Sequence, residues 1–206
     1  MFVSEQLDVE CVLARPREFD ETDAVRIAGE TFWRRGYQAT SIKELEEATR
    51  LSAGSLYKAY GSKRELFELC LEQYMKDHSY LAILMRTFDR PLEESLRRLF
   101  DTIIESTSAK SARPAGCLVT NLVAELLNVD PELGENAANA LAEMQKALKF
   151  RLRWAQEHDD LDKSRDVGAL ASYLMVVIQG MLVISTSTKD VAAMKQARDV
   201  ALATLH

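Results

Sequence analysis

TSIKELEEATRLSAGSLYKAYGSKRELF, residues 40–67, decides the fold, because it sets three helix starts in close succession. Ser41 is placed to accept from the Glu44 amide while Glu44 reaches back, a capping box ahead of an apolar face of Ile42, Leu45 and Ala48. Ser52 is a second N-cap, followed by Leu56 and Tyr60 at the i, i+4 spacing of one helical face. Gly61 ends that short helix. Ser62-Lys63-Arg64-Glu65 then repeats the S-x-x-E box and opens a fourth helix through Leu66, Phe67, Leu69, Cys70 and Tyr74 toward Met85. The spacing predicts helices over residues 42–49 and 53–60.

Upstream, Asp20, Glu21 and Asp23 sit where carboxylates suit a helix N-terminus. Ala24, Ile27, Ala28, Thr31 and Phe32 share a face, Arg34 and Arg35 fill the last turn, and Gly36 is a stop. Downstream, Pro91 starts a helix with Leu92, Leu96, Leu99, Phe100 and Ile103 on one side, and residues 106–114 form a polar break. Residues 116–127 read as a short apolar helix and 131–158 as a long one with Leu141, Met144, Leu148, Leu152 and Ala155 in register. Residues 167–187 are apolar nearly all round and require burial on several sides, and 191–205 form a last amphipathic helix. The fold class is all-α with about nine helices. The domain reading is an extension and basic arm over 1–19, a helix-turn-helix head over 20–67 and a helical body over 68–206.

Composition agrees. A chain of 206 residues that is 47% apolar and 28% charged can bury a sizeable core, and only 8 Gly and 4 Pro argue against a turn-rich sandwich. Cys11, Cys70 and Cys117 are an odd, widely spaced set, which excludes a disulfide framework and suits the reducing cytoplasm. The acidic N-terminus lacks a signal peptide's basic region. The longest apolar stretch, 173–184, is interrupted by Gln179 and Gly180, so no membrane span is expected. Nucleotide-loop, nucleophile-elbow and metalloprotease motifs are missing, and His78, His158 and His206 have no metal-ligand spacing, so neither an enzyme nor a metal or cofactor is expected.

The net charge of −6 is unevenly spread: residues 1–14 carry 0 basic and 3 acidic side chains, 15–64 carry 10 and 8, and 65–206 carry 16 and 21. The basic excess therefore falls on the block with the paired short helices. Two such helices joined by a tight turn are the ingredients of a helix-turn-helix that lays its second helix in a DNA major groove. Ala53, Gly54 and Ser55 are small enough for close approach of backbone to base edges, and a helix N-terminus capped by Ser52 favours a phosphate. Tyr57 and Lys58 point outward if Leu56 and Tyr60 point in, while Thr40 and Lys63 bracket the unit as phosphate contacts.

The string Gly36-Tyr37-x-x-Thr40-Ser41-Ile42, then Leu51-Ser52-x-Gly54-Ser55-Leu56-Tyr57-x-x-Tyr60-x-Ser62-Lys63-x-x-Leu66-Phe67, resembles the DNA-binding head of the tetracycline-repressor (TetR) family of bacterial transcription regulators. Arg15-Pro16-Arg17 looks like the basic arm of many members, so Arg15 and Arg17 are expected along the minor groove. One position departs from the family pattern: Arg50 stands where Gly is usual in the turn, and a left-handed backbone there would cost a side-chain-bearing residue.

The resemblance implies a cytoplasmic dimeric repressor that binds a palindromic operator and is released by a small molecule held in the body. Activation through the same helix-turn-helix is the alternative outcome at the promoter. Expected effector-lining residues are Tyr74, His78, Cys117, Asn121, Met144, Tyr173 and Gln179. Expected dimer contacts are Ala171, Gly180, Met194, Ala197 and Ala201, on the last two helices. Cys117, after Arg113-Pro114-Ala115-Gly116 at a helix start, offers a further reading as a thiol that senses electrophiles or oxidants. Gly116-Cys117-Leu118-x-x-x-Leu122-x-x-Glu125 resembles a segment of TetR members that do so. Plain packing of a small buried thiol is the competing account.

Overall fold

The computed structural model describes residues 21–77, 80–108, 111 and 114–206. Ten helical segments and no strand occur among them: α1 Glu21–Arg35, α2 Ile42–Thr49, α3 Ala53–Tyr60, α4 Lys63–Asp77, α5 Tyr80–Arg86, α6 Leu92–Glu105, α7 Leu118–Leu126, α8 Pro131–Glu157, α9 Val167–Thr186 and α10 Val191–Ala203. The helix expected to run from Ser62 toward Met85 is described as two segments, α4 and α5, which accounts for ten against about nine. His78, between them, lies outside the described residues, as do Arg15, Arg17, Cys11 and Arg113.

Caps set the boundaries. Asp130 accepts from the Leu133 amide at 3.2 Å to start α8, Asp166 from Gly168 and Ala169 to start α9, and Asp190 from Ala193 at 3.0 Å to start α10. Gly36 ends α1 with φ +87°, a left-handed conformation that glycine adopts without penalty.

α1 packs along α4 and against α2, and α3 packs against α2 and α4, with Phe32, Leu45, Leu56, Tyr60 and Phe67 buried between them. Behind this head, α8 lies against α7 and α9, and α6 packs with α5, α9 and α10. α9 is long and apolar enough to cross a membrane by length and composition. In this fold it is a core helix, with Leu170, Leu174, Ile178, Met181 and Leu182 buried toward its neighbours. Its other face is also apolar, with Tyr173, Val176 and Val183 exposed.

Candidate nucleic-acid interface

The turn between α2 and α3 is built from local chemistry. Ser41 Oγ accepts from the Glu44 amide at 3.2 Å and Glu44 Oε2 accepts from the Ser41 amide at 2.7 Å, completing the capping box. That backbone donor, above all, holds the Glu44 carboxyl below its usual pKa. Arg50 caps α2 at φ 59°, ψ 27°, so the left-handed turn is made here without glycine. Glu46 then accepts from the Ala53 amide at 2.6 Å, and Ser52 Oγ from the Ser55 amide at 3.2 Å, which pins the start of α3.

α3 buries only Leu56 and Tyr60. Ser52, Gly54, Ser55, Tyr57, Lys58 and Ala59 are exposed on its outer side, with Ala53 half-buried. A Cβ built on Gly54 would meet nothing nearer than Ser52 Oγ at 3.9 Å, so no contact within the chain demands glycine there. Lys63 is half-buried, with Nζ 4.4 Å from the centre of the Tyr37 ring, and burial lowers its pKa. Thr40 does not belong with the exposed set. It is fully buried and its hydroxyl donates to the Gly36 carbonyl at 2.6 Å, so that donor is already used inside the turn.

The head is tied to the body at three places. Glu125, near the end of α7, accepts from the amides of Tyr37 and Gln38 at 3.0 and 2.7 Å, bridging to the turn after α1. Arg64 on α4 meets Asp130 at 3.2 Å and Glu132 at 2.9 Å, at the start of α8. Deeper in, Trp33 of α1 packs edge-on to Tyr74 at 4.9 Å, and the Tyr74 hydroxyl donates to Cys117 Sγ at 3.2 Å. The Tyr80 hydroxyl donates to the Gly116 carbonyl, whose amide donates to Ser185 Oγ, each at 3.1 Å. α7 thus spans from a buried polar cluster at its start to the head at its end. Glu125 stands in the sequence as the one carboxylate of an otherwise uncharged helix, but spacing alone does not show that it reaches residues 87 and 88 positions away.

The expected effector set does not converge on one pocket. Met144 lines an apolar cavity of about 20 Å³ between α5, α6, α8 and α9, together with Leu84, Leu99, Leu148, Met175 and Ile178. Tyr74 packs toward α1 instead. Asn121 is exposed in an open depression beside Trp33, Arg34 and Lys189. Tyr173 is 38% exposed on the outer face of α9, away from that cavity. Gln179 is half-buried and accepts from Thr120 Oγ1 at 2.7 Å. Cys117 stands at the start of α7, as expected, and has no solvent exposure, which accords with the competing account of a small packed thiol. Burial pushes the Cys70 thiol pKa up.

The expected dimer set also divides. Ala171, Met194 and Ala201 are buried within their own subunit, because those faces of α9 and α10 turn toward each other and toward α6. Ala197 is half-buried, and Gly180 is exposed with open space before it. A helix apolar all round does not reveal which side faces its own core, and the outward stripe proves to be Tyr173, Val176, Gly180 and Val183.

Residues 26–70 match the family described as bacterial regulatory proteins, tetR family, and residues 93–201 match the tetracyclin repressor-like C-terminal domain. The HTH-type transcriptional repressor ComR of Escherichia coli (strain K12) is 30% identical over 194 residues, 93% of this chain and 90% of that protein. The HTH-type transcriptional regulator YezE of Bacillus subtilis (strain 168) is 27% identical over 196 residues, 94% of this chain and 100% of that protein. A cysteine mutant of the TetR family transcriptional regulator CifR, solved in complex with 26bp double-strand operator DNA, has a TM-score of 0.79 at 26% identity, covering 93% of this chain and 100% of that one.

Proposed function

The chain belongs to the TetR family of bacterial regulators, and from that premise we propose that it is a cytoplasmic transcriptional repressor, not an enzyme, that binds a palindromic operator as a homodimer. In this reading residues 20–67 are the DNA-binding head and 68–206 the effector-binding and dimerisation body. The observation that carries it is the outer side of α3: a helix that spends two side chains on its own core and leaves Gly54, Ser55, Tyr57 and Lys58 exposed beside its N-cap Ser52, behind a rigidly capped turn.

The chemistry follows from that side. Tyr57 offers a hydroxyl donor, the Ser52–Ser55 hydroxyl pair, 3.0 Å apart, one more, and Lys58 a cation to phosphates or base edges, while Gly54 lets the backbone come close to the groove. Lys63 adds a phosphate contact if its ammonium leaves the Tyr37 ring, and Arg15 and Arg17 extend the footprint along the minor groove. A two-fold dimer sets two α3 helices about one duplex turn, roughly 34–36 Å, apart. The outward stripe of α9 supports such pairing: Tyr173, Val176 and Val183 supply apolar area, and Gly180 lets a partner helix approach closely. The similarity to a named repressor and to a regulator held on operator DNA favours repression over activation. The Met-lined cavity between α5, α6, α8 and α9 is the body's candidate effector site. An effector that prefers the head spacing unfit for DNA lowers operator affinity by its differential binding.

Fluorescence anisotropy with labelled duplexes from the DNA flanking the protein's own gene tests the proposal. Wild type binds one duplex far more tightly than a scrambled one, and Lys58→Ala and Tyr57→Ala weaken binding without unfolding the protein. Equal affinity for the native and scrambled duplexes overturns it.

A further inference from the structure

Arg151, on α8, is a buried cation that DNA binding does not use. Its side chain has no solvent exposure. Nη2 donates to the Arg90 carbonyl at 2.6 Å, but Nε and Nη1 are buried without a hydrogen-bond partner. The Asp160 carboxylate stands 3.9 Å away and accepts from the Leu92 amide at 2.6 Å. Phe88 and Trp154 flank the guanidinium, with ring centres 5.2 and 4.9 Å from Cζ. The rings ease the desolvation of the charge but do not replace the missing acceptors. A buried charge with donors left over is destabilising, and an apolar residue of similar volume commonly does better in such a place. The arginine therefore calls for an acceptor.

Its position says which kind. Arg151 continues the buried face of α8 that carries Met144 and Leu148, one turn beyond Leu148. In the turn after the facing helix α5, Phe88 stands four residues beyond Leu84, and Leu84, Met144 and Leu148 all line the apolar cavity. Arg151 thus springs from α8 in the layer next to that cavity, without lining it. The cavity is small, at about 20 Å³, and two of its walls are Met144 and Met175, whose unbranched side chains can swing aside without a backbone change.

We propose that the effector is an amphipathic anion, a carboxylate on an alkyl chain or aromatic ring, whose apolar part enters between the methionines and whose carboxylate pairs with Nε and Nη1 of Arg151. This rests on the regulator reading above and names the ligand class of the same site. A carboxylate matches the guanidinium in charge and planar geometry, and its neutral amide does not.

Isothermal calorimetry and thermal unfolding of the full chain test it with straight-chain C6–C12 carboxylates and phenylalkanoates, each beside its primary amide. At least one carboxylate binds the wild type roughly ten- to a hundredfold more tightly than its amide, the size expected of a charge-assisted pair. Arg151→Met folds at least as stably as wild type and loses that preference, while Arg151→Lys retains part of it. If Arg151→Met does not fold, Arg151→Gln serves for the same comparison. Equal binding of carboxylates and amides, no binding of any carboxylate, or an undiminished preference in the folded variant overturns the proposal. Operator binding by the ligand-free protein is measured alongside: its failure refutes the regulator reading, and its success without carboxylate preference refutes only the effector class.

Discussion

Removing the Glu125 carboxylate cuts the tie between α7 and the turn that follows α1. In the structure its two oxygens accept from consecutive amides, Tyr37 at 3.0 Å in a part-buried setting and Gln38 at 2.7 Å at the surface. Hydrogen bonds to a charged acceptor contribute about 1.5–3 kcal/mol each, but water replaces the acceptor at the exposed Gln38 amide, which puts that bond at or below the low end. Glu125→Ala is therefore expected to cost about 2–3 kcal/mol, or roughly 4–12 °C in Tm for a chain of this size. Glu125→Gln keeps a single acceptor oxygen, so it loses about half as much. Because the tie biases the head's orientation, operator affinity falls by up to roughly thirtyfold in Glu125→Ala if the whole of about 2 kcal/mol goes into that bias. Amide hydrogen exchange reads the contact directly: the Tyr37 amide loses protection in Glu125→Ala while buried amides of α8 keep theirs. Unchanged exchange at Tyr37 with a Tm within about 1 °C of wild type refutes the reasoning.

Gly54→Val is expected to fold normally, since a Cβ there meets only Ser52 Oγ, at an ordinary contact distance of 3.9 Å, yet to lose operator binding; near-native affinity by anisotropy contradicts the placement of α3. Cys117 is buried, so iodoacetamide labels it no faster than Cys70 in the native protein and both react after denaturation, as peptide mass spectrometry will show; rapid selective labelling of Cys117 revives the sensor reading. Glu44 has a folded pKa below its ordinary 4.5, held there first by the Ser41 amide, so its stabilisation is present above that value and is lost as pH falls through the lower folded one. Tm in Glu44→Gln accordingly falls less steeply on acidification than in wild type, and parallel curves contradict the assignment. Operator affinity drops steeply with salt, and Lys58→Ala lowers the log–log slope by about one; a slope unchanged in the variant removes Lys58 from the phosphate contacts.

The head was legible because its signals are local. Ser41, Glu44, Ser52 and Gly61 each act within a few residues, so caps and periodicity give α2 and α3 to the residue. Arg50 shows the limit, since the left-handed turn it adopts follows from the geometry between two fixed helices and not from its own preference. Thr40 shows another: a hydroxyl beside a turn can face phosphate or backbone, and only the fold turns it onto the Gly36 carbonyl. In the body, apolar spacing separates helix from loop but not one buried face from another. Ala171 and Met194, expected on an outer face, are thus buried, and the apolar residues left exposed on α9 are Tyr173, Val176 and Val183. Glu125 and Arg151 owe their partners to packing between segments distant in the chain, which no spacing rule encodes.

A selection of genome fragments bound by the purified full-length protein tests the central claim most directly. The account predicts enrichment of one palindrome with half-sites about one duplex turn apart, and its loss in the folded Gly54→Val variant. No enriched sequence, or the same palindrome held by that variant, contradicts it.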